Sequence, residues 1–353
     1  MALIDRVRAE IRALDAYKVP PDPPPIVLDA NESPWPLSDA ARAKMGAAIA
    51  EVAFHRYPPI EAHALRAALA ARAKATPEEL LIGIGSDEVI GVLCTTFARA
   101  GAKVLVPDPT FSMFAASARV AGLDVVKVPL DQRFRIDRAA TLEAIAREKP
   151  ALAFFATPNN PTGNAFAEDD LEAIVRAMPD GLVVIDEAYG AFSSRPSLGA
   201  WVDRFPNVGV MGTLSKIGLA ALRIGWIRVR PELARELDKV RLPYDLPTPT
   251  QLLGALALTE LKGELDDHVA RIVAERARLV KALASRPFDV FETDANFVLV
   301  ASPRAAEIHR GIEARGVRVR AFGHHARLAQ HLRITVGTPA ENDALLSALD
   351  AVI

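Results

Sequence analysis

The sequence predicts an α/β protein: a mostly parallel central sheet with helices on both faces, followed by a smaller α+β domain. Three observations predict it. Between residues 80 and 229, short wholly apolar runs alternate with segments of helical periodicity, the rhythm of strands buried on both faces. Beyond Pro243, Pro247 and Pro249 that rhythm stops, and a long helical stretch leads into a second set of strands and helices. With 353 residues, half of them apolar, the chain exceeds one compact core and has material for two. The expected division is an N-terminal arm and linker over 1–30, a large domain over 31–248 and a small C-terminal domain over 249–353.

Taken in order, Leu3, Ile4, Val7, Ile11 and Leu14 recur at helical spacing over residues 2–14. The proline run from Pro20 to Pro25 then excludes helix, because proline lacks the N–H and its ring clashes with the preceding turn. Residues 26–29 form a short extended piece and 31–34 a turn, and helices are expected over 38–52 and 61–74 around a loop at 55–59. Thr76-Pro77-Glu78-Glu79 is a capping box with proline at the first helical position, where no N–H is needed. Strands follow at 80–84, 103–107, 124–128, 151–155, 182–185, 208–212 and 224–229, with helices at 86–99, 111–121, 138–147 and 168–177 between them. The last third reads as a helix over 250–286 broken near Gly263, strands at 288–291 and 296–300, and a helix at 303–314. Strands at 317–319 and 332–335 and a helix at 339–352 complete it.

Composition narrows the function. The net charge is −2 with both signs evenly scattered, so no basic stripe points to nucleic acid or an anionic membrane. The N-terminal ten residues lack the apolar core of a signal peptide, and no stretch is apolar enough to span a bilayer, so a cytoplasmic protein is expected. Cys94 is the only cysteine and reads as a small buried apolar residue. His55, His324, His325 and His331 have no metal-ligand spacing, so no metal is expected and the four read as surface or core histidines.

The candidate chemistry gathers where strands end, the place at which open parallel sheets bind ligands. Lys216 follows the apolar run 208–211, with hydroxyls at Thr213 and Ser215 before it and Arg223 seven residues after. An amine in that setting can bond to an aldehyde cofactor while the hydroxyls and the arginine fork hold its phosphate; the competing reading of a single Ser-Lys pair is a surface lysine. Gly83-Ile84-Gly85-Ser86-Asp87-Glu88 runs from a strand into a helix start whose free N–H groups suit a phosphate, although Ser86 or Asp87 could equally cap the helix. Glu88 at the third glycine position excludes the dinucleotide fingerprint. Phe111 offers a ring to stack on a flat cofactor or to pack in the core. Asn159 and Asn160, set between prolines, make a rigid polar turn. Asp186 ends an apolar strand, where a carboxylate costs stability unless paired, and a pyridinium N–H would pair with it; Tyr189 lies three residues on. Arg333 sits inside an apolar strand and calls for a carboxylate, from substrate or from the protein itself. Arg318 and Arg320 share one face of the strand before it.

These residues, in this order, resemble the fold-type I pyridoxal-phosphate aminotransferases, and within them the histidinol-phosphate aminotransferase family. The likeness spans nearly the whole chain, through Leu28 to Glu32, Arg56-Tyr57-Pro58, Gly85 to Glu88, Pro158 to Gly163, Asp186 to Tyr189, Thr213 to Lys216, Leu222 to Gly225 and Leu332 to Gly337. The resemblance implies pyridoxal 5′-phosphate as cofactor and a ping-pong amino transfer between histidinol phosphate and 2-oxoglutarate, a step of histidine biosynthesis. It makes Lys216 the lysine bonded to the cofactor and the base for proton movement, and Asp186 the partner of the ring nitrogen. Asn160 and Tyr189 would bind the ring oxygen, and Ser86, the Asp87 backbone, Thr213, Ser215 and Arg223 the phosphate. Tyr57 would reach the cofactor of the neighbouring subunit, which implies a homodimer with shared sites. Arg333 would hold glutamate and the substrate phosphate, with Tyr17, Asn31 and Arg320 as further candidates at the specificity end.

Two positions depart from the family's pattern. Phe111 stands where tyrosine is common, and the segment from Lys216 to Arg223 is one residue shorter than in many relatives. Within the resemblance, an aromatic amino-acid aminotransferase and a decarboxylase of phosphothreonine type remain alternative readings. A cofactor-binding sensor fused to a regulator lacks both a helix-turn-helix before residue 26 and a basic stripe.

Overall fold

The computed structural model describes residues 2–14, 16 and 24–353. Among them the backbone forms two sheets. The strands are β1 Ile26–Leu28, β2 Leu80–Ile84, β3 Lys103–Asp108, β4 Asp124–Pro129, β5 Leu152–Ala156, β6 Leu182–Asp186, β7 Val208–Thr213, β8 Ile224–Arg228, β9 Asp289–Val290, β10 Phe297–Ala301, β11 Val317–Ala321 and β12 His331–Thr335. The large sheet has the order β2-β8-β7-β6-β5-β3-β4. Its pairs from β7 through β4 are parallel, and β8 runs antiparallel to both neighbours. Strands β5 and β6 are buried at every residue, as expected for strands covered on both faces.

Helices α1 Ala9–Arg12, α2 Asp39–Ala50, α3 His63–Ala73, α4 Gly85–Phe97, α5 Ser112–Ala121, α6 Arg138–Glu148, α7 Glu168–Ala177 and α8 Trp201–Arg204 accompany the first part of the chain. Then come α9 Pro231–Asp238, α10 Thr248–Thr259, α11 Lys262–Ala284, α12 Ala305–Glu313 and α13 Pro339–Asp350. One layer packs α4 and α5 onto Leu81, Val104, Phe154 and Val184, and the opposite layer packs α6 and α7 onto Leu105, Phe155, Val183 and Ile185. The alternation along β5 and β6 sends neighbouring side chains to opposite layers. Each fully buried Phe or Leu there contributes about 1.5–3 kcal/mol relative to exposure. Cys94 lies inside the α4 layer, where burial pushes its thiol up to about 12, so it is inert as a nucleophile.

The second sheet has the order β1-β11-β12-β10-β9. Its first strand comes from the beginning of the chain, Ile26–Leu28 pairing in parallel with Val317–Val319. The extended piece expected to end the arm is therefore an edge strand of the C-terminal sheet.

Two expectations need correction and a third a small shift. The single helix over 2–14 is instead a 3-10 turn at Leu3–Arg6 and the one-turn α1, and Leu3 and Ile4 are exposed, so helical spacing found no core to pack against. The long helix after 250 breaks at Glu260 and Leu261, and Gly263 lies inside α11. The break thus falls near Gly263 as expected, shifted two residues ahead of it, and the glycine has open space around it. Strand β9 spans two residues of the expected four.

Candidate active site

The carboxyl ends of the parallel strands open into a cavity of about 380 Å³ between the two sheets. Lys216 lies in the turn after β7, and Asp186 closes β6, the strand paired with it. Asp186 is 4% exposed and accepts the Ala188 N–H at 2.9 Å. Burial pushes its pKa up to about 7; the Ala188 hydrogen bond lowers it, nearby Asp87 and Glu187 raise it, and Lys216 lowers it. The strand alternation sends the next carboxylate, Glu187, the other way, where it accepts the Ser197 hydroxyl and the Leu198 N–H, both at 2.6 Å. Of the two, Asp186 faces the cavity, and a protonated ring nitrogen would satisfy it.

The cup beside Lys216 is built from close backbone approaches. Gly225 on β8 lies against the start of α4, where a Cβ would come within 2.3 Å of the Ser86 nitrogen, and Gly85 has φ +77 beneath the Arg223 guanidinium. These contacts require glycine and bring Ser86, Asp87, Ser215 and Arg223 to one wall of the cavity. Arg223 holds φ +52 and lies 3.5 Å from Asp87. Thr213 also lines the cavity, yet its hydroxyl is engaged within the turn: it donates to the Ile224 carbonyl at 2.9 Å and accepts the Ser215 N–H at 3.1 Å. A helix N-terminus with hydroxyls and a guanidinium suits a phosphate.

On the other side, Phe111 precedes α5 and lines the cavity with its ring. The two asparagines after β5 divide their roles. Asn159 is fully buried and braces the loop, its amide donating to Pro109 at 3.0 Å and Thr162 at 2.8 Å and its oxygen accepting the Thr110 hydroxyl at 2.7 Å. Asn160 faces the cavity and accepts from Arg333 at 2.6 Å, which leaves its amide nitrogen to donate. The Tyr189 hydroxyl accepts from Asn31 at 3.0 Å, and Lys216 Nζ lies 5.9 Å from the centre of the Tyr189 ring. Asn31 holds φ +54 and is tied to Thr335 by its own N–H at 3.0 Å, so it joins the C-terminal sheet to the tyrosine.

Arg320 and Arg333 sit directly opposite one another on the antiparallel pair β11 and β12, and both line the cavity. Like charges across a strand pair repel, and an anion between them relieves the repulsion. Arg333 also donates to the Asp29 carbonyl. Arg318, on the same face of β11, pairs with Glu313 at 3.0 Å instead.

Two candidates lie elsewhere. Tyr57 is 80% exposed and stacks on Tyr244 at 4.6 Å between ring centres, outside the cavity of its own chain. Tyr17 falls outside the described residues. Conversely, His324 and His325 line the cavity, although their spacing suits no metal. Their signal was placement: they follow the arginine-bearing strand in a loop that must pass over the strand ends. His331 is half-buried, packed against Phe134 and Phe291, with its pKa lowered by burial. Among the described residues no cluster of His, Cys, Asp or Glu could hold a metal, and no helix is long and apolar enough to cross a membrane.

Comparison with known proteins agrees with this geometry. The family model for aminotransferase class I and II matches residues 23–349. The chain is 42% identical to histidinol-phosphate aminotransferase 2 of Cupriavidus pinatubonensis, covering 99% of this chain and 97% of that one. It is 43% identical to the histidinol-phosphate aminotransferase of Chromobacterium violaceum, over 97% and 96%. Among solved structures it is similar to histidinol-phosphate aminotransferase from Sinorhizobium meliloti in complex with pyridoxal-5′-phosphate. The TM-score is 0.87 at 28% identity, covering 98% of this chain and 97% of that one.

Proposed function

The chain belongs to the class I and II aminotransferases, and we propose that it transfers the amino group between histidinol phosphate and 2-oxoglutarate, using pyridoxal phosphate in two half-reactions. The observation that carries this reading is the joint placement of Lys216, Asp186 and the Arg320–Arg333 pair around one cavity. Pyridoxal phosphate, when bound, supplies an electron sink for the charge left on the substrate's α-carbon.

The chain's own residues do the rest. Lys216 would hold the cofactor through its amine, and the same amine, when free, would move the proton at the substrate's α-carbon. Asp186 would keep the ring nitrogen protonated, Asn160 and Tyr189 would bind the ring oxygen, and Phe111 would offer a ring to stack on the cofactor. Ser86, the Asp87 N–H, Ser215 and Arg223 hold the cofactor phosphate, with Thr213 shaping their turn. At the far end Arg320 and Arg333 bind the substrate phosphate in one half-reaction and the glutamate carboxylate in the other, an exchange open to forked donors because both ligands are planar or tetrahedral oxyanions.

The exposed Tyr57–Tyr244 stack supports a homodimer in which Tyr57 completes the neighbour's phosphate cup, and we place this pair of shared sites in the cytoplasm as part of histidine biosynthesis. A monomer by sedimentation at concentrations that are fully active would sink the shared-site reading.

The test of the reaction is direct. Purified protein with pyridoxal phosphate, histidinol phosphate and 2-oxoglutarate is followed for glutamate formation, with phenylalanine and tyrosine as competing donors. Glutamate is expected from histidinol phosphate; its absence, with turnover of phenylalanine, would reassign the donor, and carbon dioxide release would indicate a decarboxylase.

A further inference from the structure

Arg327 lies on the loop between β11 and β12, on the C-terminal sheet's side of the cavity, but its guanidinium reaches the large sheet. Nη1 donates to the Asp108 carbonyl, and Nη2 donates to the carbonyls of Leu130 and, at 2.9 Å, Asp131. These three carbonyls mark the ends of β3 and β4. The loop makes a second attachment at the same place: His325 Nε2 lies 3.5 Å from the Asp108 carboxylate, which also receives Lys127 at 3.0 Å. Asp108 stands three residues before Phe111, which lines one side of the cavity. His324, His325 and Leu328, immediately around Arg327, line the same cavity from the C-terminal part of the chain.

We infer that Arg327 is a positioning residue for the substrate end of the cavity. It fixes the wall that carries Phe111 against the wall that carries His324, His325 and Leu328, and so sets the opening in front of Arg320 and Arg333. Arg327 itself does not line the cavity, so it acts through the two walls. Arginine suits the task because its planar fork presents several donors in a fixed geometry, whereas the lysine ammonium is a compact charge on a flexible stem. The inference rests on the reading of this cavity as the amino-transfer site with the substrate's anionic group at the arginine pair.

Arg327→Lys and Arg327→Ala holoenzymes test it. KM and kcat are measured separately for histidinol phosphate and for glutamate, together with thermal stability and the fraction of protein that retains cofactor after borohydride reduction, read by mass. The alanine variant is expected to raise KM for both donors by roughly twofold to thirtyfold, the range for residues that bias a site without touching its ligand. Cofactor retention should stay at the wild-type level, kcat should change little, and lysine should fall between. Unchanged KM in a folded variant overturns the inference, as does a rise in KM accompanied by a parallel loss of cofactor retention, which a merely structural role would give. Should the alanine variant not fold, the lysine variant decides by the same criteria. A wild type active with glutamate but inert with histidinol phosphate would defeat the donor assignment, and the glutamate KM would still decide on Arg327.

Discussion

Replacing Asp186 by asparagine in the cofactor-free protein should remove a pH-dependent cost to the fold. The carboxyl is 4% exposed, and burial pushes its pKa from 3.8 to about 7. Because the folded value lies above the unfolded one, the folded chain binds the extra proton between about pH 4 and pH 7. Stability therefore falls as pH climbs through that window, and the cost is complete above it. Roughly three units at 1.36 kcal/mol each give about 4 kcal/mol as an order of magnitude. Asparagine does not titrate, and comparing the two proteins cancels every other ionisation. Chemical or thermal unfolding of both cofactor-free forms at a series of pH values should show the variant gaining on the wild type by a few kcal/mol between about pH 4.5 and pH 8. A difference that stays flat across this range would refute the reasoning. With pyridoxal phosphate bound as proposed, a ring N–H would face the carboxylate, so the pH-dependent part of the difference should vanish while amino transfer by the variant drops by about a hundredfold to a thousandfold.

Further outcomes follow from the same geometry. Lys216→Ala should abolish the mass gain that borohydride reduction gives the wild-type holoenzyme; a retained gain would assign the covalent bond to another amine. Arg333→Ala removes charge-assisted hydrogen bonds worth about 1.5–3 kcal/mol each, so kcat/KM for glutamate should fall about tenfold or more, and equal kinetics would reject the role. Gly225→Ala drives a Cβ into the Ser86 backbone and should cost about 1–3 kcal/mol of stability while weakening cofactor retention. A variant as stable as wild type with full retention would show that the α4 start can move aside.

The elements that the sequence announced most clearly were those whose environment is uniform. Strands β5, β6 and β7 are buried along their whole length, so an apolar run bounded by turns has one solution, and the ends of those strands predicted where Asp186 and Lys216 would meet. Elements that depend on distant partners were harder to read. The residues of the expected arm helix show helical spacing but meet no apolar surface, and local periodicity does not report what lies opposite. Thr213 illustrates a further limit: its position beside Lys216 suggested a ligand contact, but the hydrogen bonds inside the turn are set by the antiparallel return of β8, whose direction sequence does not encode. Asn159 and Asn160 are chemically identical neighbours, and only the folded loop decides which becomes a strut and which faces the cavity. The hydrogen bonds of Arg327 described above go to backbone carbonyls at the strand ends of the other sheet, so no motif could announce them.

The placement of Ile26–Leu28 beside Val317–Val319 has a consequence for how this polypeptide comes into being. On a ribosome the twenty-sixth residue emerges long before its companion strand, and it must wait, unpaired, while almost the entire remainder is made. A recombinant fragment that starts at residue 249 would present the bare flank of Val317–Val319, an invitation to stick to other copies. Supplying residues 24–31 as a separate peptide should quench that stickiness, and a fragment that stays dispersed without the peptide would argue that the flank protects itself.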